Sequence, residues 1–439
     1  LPAEVSPSLG ATFSLAGSVF REGPLKVFFG SGPGTFGLDW ARYKDASINQ
    51  TIFWGVRFNQ GQSWLATLLP TAGILGFIAV LGFLAMTLFV FLRAILEISK
   101  YRNGEISGPD GLATGAFLGF VPLLVSAFLY PANTSLLLLL FLLIGIAVYL
   151  LAARPTAAPE TEAAGELSEA GLPPAPVWSR TPNRAANNGF WVIRERLVRF
   201  ETPWAVFASS LAIIFFLAVG VVALYGQTSR VRAALAANRG VAALNAGNID
   251  QAITHLEQAV RIEPRNYRNL QALTQVRTEK ARQLIQKAAG GENVQQEFQS
   301  AVSLAIQSSQ QLTQLHPQEP VLWRIQGSLY EMIIPFIQGS ERFATAAYQQ
   351  AAALEPLNPA IYVDWGRAGL VFTDRIMLVA NQAQGKDKEQ LIEARRQSLE
   401  QITPLFQRAI EVKPDFAPAH FLLAQTAIRL GNIDAAIAS

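Results

Sequence analysis

No cysteine occurs anywhere in the 439 residues, which excludes disulfides, thiolate metal sites and cysteine nucleophiles at once. Histidine is nearly as scarce: His255, His316 and His420 are the only three. They are scattered through the second half, none beside a carboxylate pair, so each reads as a helix or turn residue and no metal site is expected. Charged residues make up 15% of the chain and leave a net charge of +3. The basic residues are dispersed, several of them flanking apolar runs, so nucleic acid is not an expected partner. The phosphate-loop pattern GxxxxGK[ST] is absent, and the glycine-rich turn Gly30-Ser31-Gly32-Pro33-Gly34 lacks the strand–helix frame of a nucleotide site. No cofactor is therefore expected. An initiator methionine and a signal-peptide pattern are missing at Leu1, and Ser439 falls inside a helical repeat, so the chain is expected to be a piece of a longer protein.

Apolar residues, at 51%, dominate instead. Pro70–Leu96 carries no charge before Arg93 and is long enough to cross a bilayer as a helix. Further spans are expected at 112–130, with Pro122 as a kink, at 134–151 and at 205–225. Lys100, Arg102 and Arg154 flank the hairpin formed by the second and third spans, whereas its tip at Pro131 has no basic residue. Positive charge gathers on the inner side of a membrane, so the tip, the segment before the first span and everything after the fourth should face outward. Arg154–Gly189 is rich in Ala, Pro, Glu and Thr and reads as a disordered inner linker. Phe190–Trp204, with Arg194, Arg196 and Arg199, reads as a basic approach to the fourth span. The expected organisation is an outer segment over 1–63, three spans over 64–152, the linker over 153–189, a basic flank with the fourth span over 190–229, and repeats over 230–439.

The outer segment offers a more specific pattern. GSGPGTF at Gly30–Phe36 is followed by an aromatic and polar stretch, then by QSWLATLLPTAGILG, which runs into the first span. This order resembles the outer loop and following helix of O-antigen ligase/polymerase-like membrane glycosyltransferases, which carry a "GxGxGxF" element and an "HNxxLxxLxExGxxG" approach to the next span. Gly73 and Gly76 match the closing glycines. Gln62 and Ser63 stand at the places of the family's His-Asn, and Thr71 at that of its acidic residue. The resemblance covers roughly residues 10 to 90. It implies transfer of a glycan from a polyprenyl diphosphate at an integral, multi-pass membrane protein of the cell envelope. Such a reaction needs cations on the departing diphosphate, and Arg57, Arg42 and Lys44 are the candidates in the outer segment. Gln62 can hydrogen-bond but cannot take up a proton at neutral pH, so the catalytic residue stays unassigned.

Helical periodicity takes over from Arg230. Gly-Asn-Ile-Asp-x-Ala-Ile occurs at Gly247–Ile253 and again at Gly431–Ile437. Pro264 follows Gly247 by 17 residues, and Gly431 follows Pro414 by 17. Two such halves make the 34-residue period of a tetratricopeptide repeat. Trp323-Arg-Ile-Gln-Gly327-Ser-Leu-Tyr330, followed by Ala344, Tyr348, Ala351 and Pro356, resembles one complete unit, and Phe406, Ala409 and Pro414 close another. The closing prolines 264, 317, 356 and 414 are spaced by 53, 39 and 58 residues, so insertions are expected at Pro335–Ser340 and Gln382–Gln390. Trp323, Tyr330, Tyr348 and Phe406 are expected in the repeat core, and Phe421, Leu422 and Ile428 are expected partly uncovered at the last unit.

The fold class read from the sequence is thus all-α, with four transmembrane helices followed by an extracytoplasmic tetratricopeptide-type solenoid. Two functions fit it. One is an envelope glycosyltransferase of the ligase/polymerase type whose repeats bind protein; the other is a non-catalytic membrane-anchored repeat scaffold. The expected partners are membrane lipid, a polyprenyl-diphosphate-linked glycan in the first reading, and a protein segment in the concave face of the repeats.

Overall fold

The computed structural model describes residues 5–100, 108–131, 133–152 and 203–438. The expected linker Arg154–Gly189, the arginines of the basic approach, Arg102 and Arg154 all lie outside the described residues. Every described element is helical. One compact unit comprises Leu1–Ala147 with Ser229–Ser439, and a second comprises Val148–Thr228.

The segment expected as an outer loop folds into three helices, α1 (Leu9–Phe20), α2 (Pro24–Phe29) and α3 (Phe36–Tyr43), and a 3-10 turn, Ala46–Gln50. Its aromatic residues supply a small core. Leu15, Phe36, Trp40 and Phe58 are buried together, and the Trp40 and Phe58 rings meet edge-on at 5.1 Å.

The first apolar helix, α4 (Trp64–Lys100), begins before the expected Pro70 and is broken at Gly73 (φ 69°, ψ −174°). Pro70 cannot donate its backbone hydrogen bond, and only glycine adopts this φ freely, so the pair interrupts the helix. The freed carbonyls are taken by the glycine-rich turn: Ser31 N donates to Pro70 O and Gly32 N to Thr71 O, each at 2.9 Å. A Cβ on Gly73 would stand 2.4 Å from Phe28 O, and one on Gly30 would stand 2.5 Å from the Thr71 carbonyl carbon. The GSGPG turn and the PTAG break are therefore one interlocked unit.

Beyond the break, α4 packs against α5 (Gly108–Leu129) and α6 (Thr134–Ala152) around Leu84, Phe91, Phe120 and Leu140. Phe91 and Phe120 rings lie 5.1 Å apart, while Trp64 N reaches Tyr130 O at 2.9 Å.

Two helices among the described residues are long and apolar enough to cross a membrane, Trp64–Arg93 and Phe207–Asn245. The apolar stretches of the hairpin, Thr114–Leu129 and Thr134–Ile146, are shorter. The whole helices, α5 at 22 residues and α6 at 19, are about 33 Å and about 28 Å long, against a hydrocarbon thickness of about 30 Å. The second unit holds the first part of α7 (Pro203–Asn245), where Ile213, Ile214, Phe215 and Phe216 are all exposed.

From the end of α7 onward the helices pair: α7 with α8 (Ile249–Ile262), α9 (Tyr267–Ala289) with α10 (Gln295–Leu315), α11 (Pro320–Ile333) with α12 (Ser340–Leu354), α13 (Pro359–Gln382) with α14 (Gly385–Val412), and α15 (Ala417–Arg429) with α16 (Ile433–Ala438). Gly247 and Gly431 end their helices at φ 79° and 78°, with Asn248 N on Ala243 O and Asn432 N on Ala427 O, both at 2.9 Å. These are Schellman closures, and they explain the repeated Gly-Asn-Ile-Asp.

Between pairs, a different turn recurs four times. Proline stands second in Glu263–Asn266, His316–Glu319, Glu355–Asn358 and Lys413–Phe416, and the fourth residue's N–H bonds the first carbonyl at 3.1 to 3.2 Å. In three of these turns the side chain six residues beyond the proline reaches back to its carbonyl: Trp323 to Pro317 and His420 to Pro414 at 2.8 and 2.7 Å, and Tyr362 to Pro356 at 3.0 Å.

Within pairs, glycine on the first helix receives a bulky residue from the second. A Cβ on Gly327 would meet the Tyr348 ring at 2.8 Å, and one on Gly366 the Phe406 ring at 2.4 Å. Both rings are fully buried. The expected insertion at Pro335–Ser340 is a turn whose Ile334 and Ile337 carbonyls accept from Arg375 at 2.9 and 3.0 Å. The one at Gln382–Gln390 lengthens α13 and α14 to 24 and 28 residues. Phe421 and Ile428 are exposed, and Leu422 is half-buried.

Gly366→Ala should destabilise the chain by about 1–3 kcal/mol, since the added methyl overlaps the Phe406 ring. Thermal unfolding followed by circular dichroism checks this, and Phe406→Leu in the same chain should restore part of the loss.

Candidate functional site

The first helices of successive pairs line an open groove of about 580 Å³. Val241 and Leu244 of α7, Ala272 and Val276 of α9, and Val321 and Ile325 of α11 form its apolar surface. The far end is polar and ordered by ion pairs. Asp364 accepts from Arg324 Nη2 at 2.6 Å and from Arg367 Nη1 at 3.0 Å, and Arg367 Nε also donates to Glu331 at 2.7 Å. Glu331 accepts the Tyr348 hydroxyl at 2.7 Å. Burial, and then the Glu331 carboxylate, pushes the Tyr348 phenol well above its ordinary range, so it remains a neutral donor. Two arginines share one half-buried aspartate beside an apolar strip that is exposed at Val241 and Val321. An arrangement of this kind offers hydrogen-bond partners at one end and a place for apolar side chains at the other.

The four residues singled out for glycan transfer each engage different partners. Arg57 clamps Glu319 of the second proline turn with both terminal nitrogens, Nη2 to Oε2 at 3.1 Å, and its Nε donates to Gly37 O at 2.9 Å. Lys44 is buried and donates to Trp54 O at 2.7 Å. Desolvation lowers its pKa, opposed by the Glu355 carboxylate. Arg42 pairs with Glu22 at 3.5 Å and lies over its neighbour Tyr43. Gln62 N donates to Thr12 Oγ1 at 3.1 Å. Ser63 Oγ caps α4 through Ala66 N at 3.1 Å, and Thr71 Oγ1 turns back onto Thr67 O at 2.7 Å. Among the described residues no group of three His, Asp or Glu is placed to hold a metal ion.

Nothing in the sequence pattern signals the contact between the N-terminal segment and the repeats. Residues 44–58 lie across the last three proline turns. Asn49 is buried; its Nδ2 donates to Leu357 O at 2.9 Å and Val412 O at 3.1 Å, and its carbonyl accepts from Lys413 Nζ at 2.9 Å. Trp54 packs edge-on to Phe416 at 5.3 Å with Lys413 Nζ over its ring at 5.7 Å. Asp415 completes the neutralisation of Lys413 at 2.7 Å.

Tetratricopeptide-repeat family models match residues 233–266 and 405–438. The chain carries tetratricopeptide repeats. The two matched repeats correspond to α7–α8 with its proline turn and to the end of α14 through α16. Solved structures similar to the repeats include a MamA protein (17% identity, 47% of this chain and 87% of that one, TM-score 0.33) and MamA from residue 41 of Desulfovibrio magneticus RS-1 (15%, 47% and 90%, 0.32). A thermophilic tetratricopeptide-repeat protein of Thermus thermophilus is a third (16%, 47% and 87%, 0.30). No curated protein matches the chain.

Asp39 supplies a test of how the segment before the repeats is held. Its carboxylate accepts from Ser31 and Thr35 hydroxyls, yet burial raises its pKa above 3.8. The folded state therefore disfavours the ionised form relative to the unfolded chain, a penalty present at neutral pH and absent where the group is protonated in both states. Asp39→Asn should raise the unfolding midpoint at pH 7. The gain should shrink as pH falls through the raised folded-state value and vanish below 3.8, as a pH series of melting curves would show.

Proposed function

We propose that this protein is a membrane-anchored scaffold whose tetratricopeptide groove binds an extended segment of another protein. The observation that carries the reading is the groove itself: an apolar strip on the first helices, exposed at Val241 and Val321, ending in the Arg324–Asp364–Arg367 cluster. Tetratricopeptide repeats imply protein partners, and the apolar helices supply the anchor. Residues 44–58 touch three proline turns, so the N-terminal segment and the repeats belong on the same side of whichever membrane the helices cross. That agrees with the basic-residue pattern, which puts both outside.

Glycan transfer is a proposal carried by the resemblance over residues 10 to 90 alone. The interlock of GSGPG with PTAG gives those motifs a structural part, and Arg57 and Lys44 are engaged in holding the segment together and to the repeats. The scaffold is the reading better supported by the molecule.

Peptides selected from a random library against the full chain should bind in the groove. Val321→Asp places an unpaired charge on the apolar strip at an exposed position and should weaken them at least about tenfold, or about 1.4 kcal/mol, in fluorescence anisotropy. Unchanged affinity would move the binding site elsewhere.

A further inference from the structure

We infer that α2 is a lipid-contacting element, a short apolar helix laid into the headgroup–acyl boundary beside the outer end of α4. The inference rests on the membrane-anchored part of the function proposed above. The sequence of α2 is Pro-Leu-Lys-Val-Phe-Phe, and the helix buries none of its residues. Leu25 is 73% exposed, Phe29 63% and Phe28 49%. Three large apolar side chains within five residues are an uncommon surface for water to cover.

Their position says what covers them. The end of α2 is locked onto the break in α4 through backbone alone: Phe28 O and Gly30 N crowd Gly73, and Ser31 N bonds Pro70 O. Immediately past this point α4 begins its own exposed apolar surface, with Leu75 and Ile78 uncovered within the first two turns. The exposed face of α2 is thus fixed at the level where the apolar surface of the candidate span begins. A helix anchored there can bury its apolar side chains among acyl chains. Lys26 lies within α2 and Arg21 just before it, and both can extend toward anionic headgroups while their stems stay apolar. The six residues of α2 are too few to stand as an independent amphipathic anchor. The backbone lock to α4 removes that requirement, because α2 need not find the membrane by itself.

The absence of cysteine makes the test direct. Single cysteines at Leu25, Phe29, Ile78 and Ala46 of the full chain would be labelled with a nitroxide and reconstituted in phosphatidylcholine–phosphatidylglycerol vesicles. Collision with oxygen, which concentrates in acyl chains, is compared with collision with a water-soluble nickel chelate. Labels at 25 and 29 should resemble the one at 78, each with an oxygen-to-nickel ratio several-fold above that at the exposed Ala46. If 25 and 29 match Ala46 while 78 remains in lipid, α2 is in water and the inference falls although the anchor stands. Labels at 25 and 29 shielded from both reagents would mean a protein surface, such as a second copy of the chain, covers α2, and the inference falls again. Should 78 itself collide freely with nickel, the membrane reading fails and takes this inference with it.

Discussion

The proline turn between helix pairs sets the geometry on which the rest of this molecule depends. Proline in the second position fixes φ, ends the helix before it and starts the next within four residues, and it does so four times with the same backbone bond. Repetition of one turn aligns the first helices of successive pairs, and only because they are aligned do Val241, Val276 and Ile325 fall on one strip of groove. The opposite turn, within each pair, is closed by glycine where the Gly-Asn-Ile-Asp motif stands. Two chemistries, one for each end of the pair, keep the array in register.

The proline turns have a second use. They present carbonyls and the charged side chains of Glu319 and Lys413 along one edge of the solenoid, and residues 44–58 take them up. Asn49 donates to the Leu357 and Val412 carbonyls and accepts from Lys413, Arg57 holds Glu319, and Trp54 packs on Phe416. Hydrogen bonds that involve a charged group contribute about 1.5–3 kcal/mol where solvent is excluded, so the bond from buried Lys413 to the Asn49 carbonyl is a strong tie. Through it the segment that grips the broken helix α4 also grips the repeats. The groove is thereby tied to the start of α4 within the same compact unit.

Much of the repeat array was legible because its signals are local. Tyr348 and Phe406 were expected in the repeat core, whereas their glycine partners, Gly327 and Gly366, stand 21 and 40 residues away across the insertions, so the 34-residue period does not give the pairing. Proline and glycine mark the turns at sight. The break at Gly73 was visible as residues and hidden as structure, since a run of apolar side chains reads as one helix whatever its backbone does. Arg57 shows what the local sequence leaves out. A cation beside an apolar span suits a diphosphate, and nothing local distinguishes that role from an ion pair with a glutamate 262 residues away. Asn49 and Lys413, separated by 364 residues, carry no sequence signal of their contact at all.

The most direct measurement is hydrogen exchange over residues 44–58 in the full chain. Slow exchange is predicted around Asn49, becoming fast in Lys413→Met and in Arg57→Ala, with protection of α11 and α13 unchanged in both. Exchange as fast as an unstructured peptide in the unaltered chain, or no change in either variant, would contradict the account.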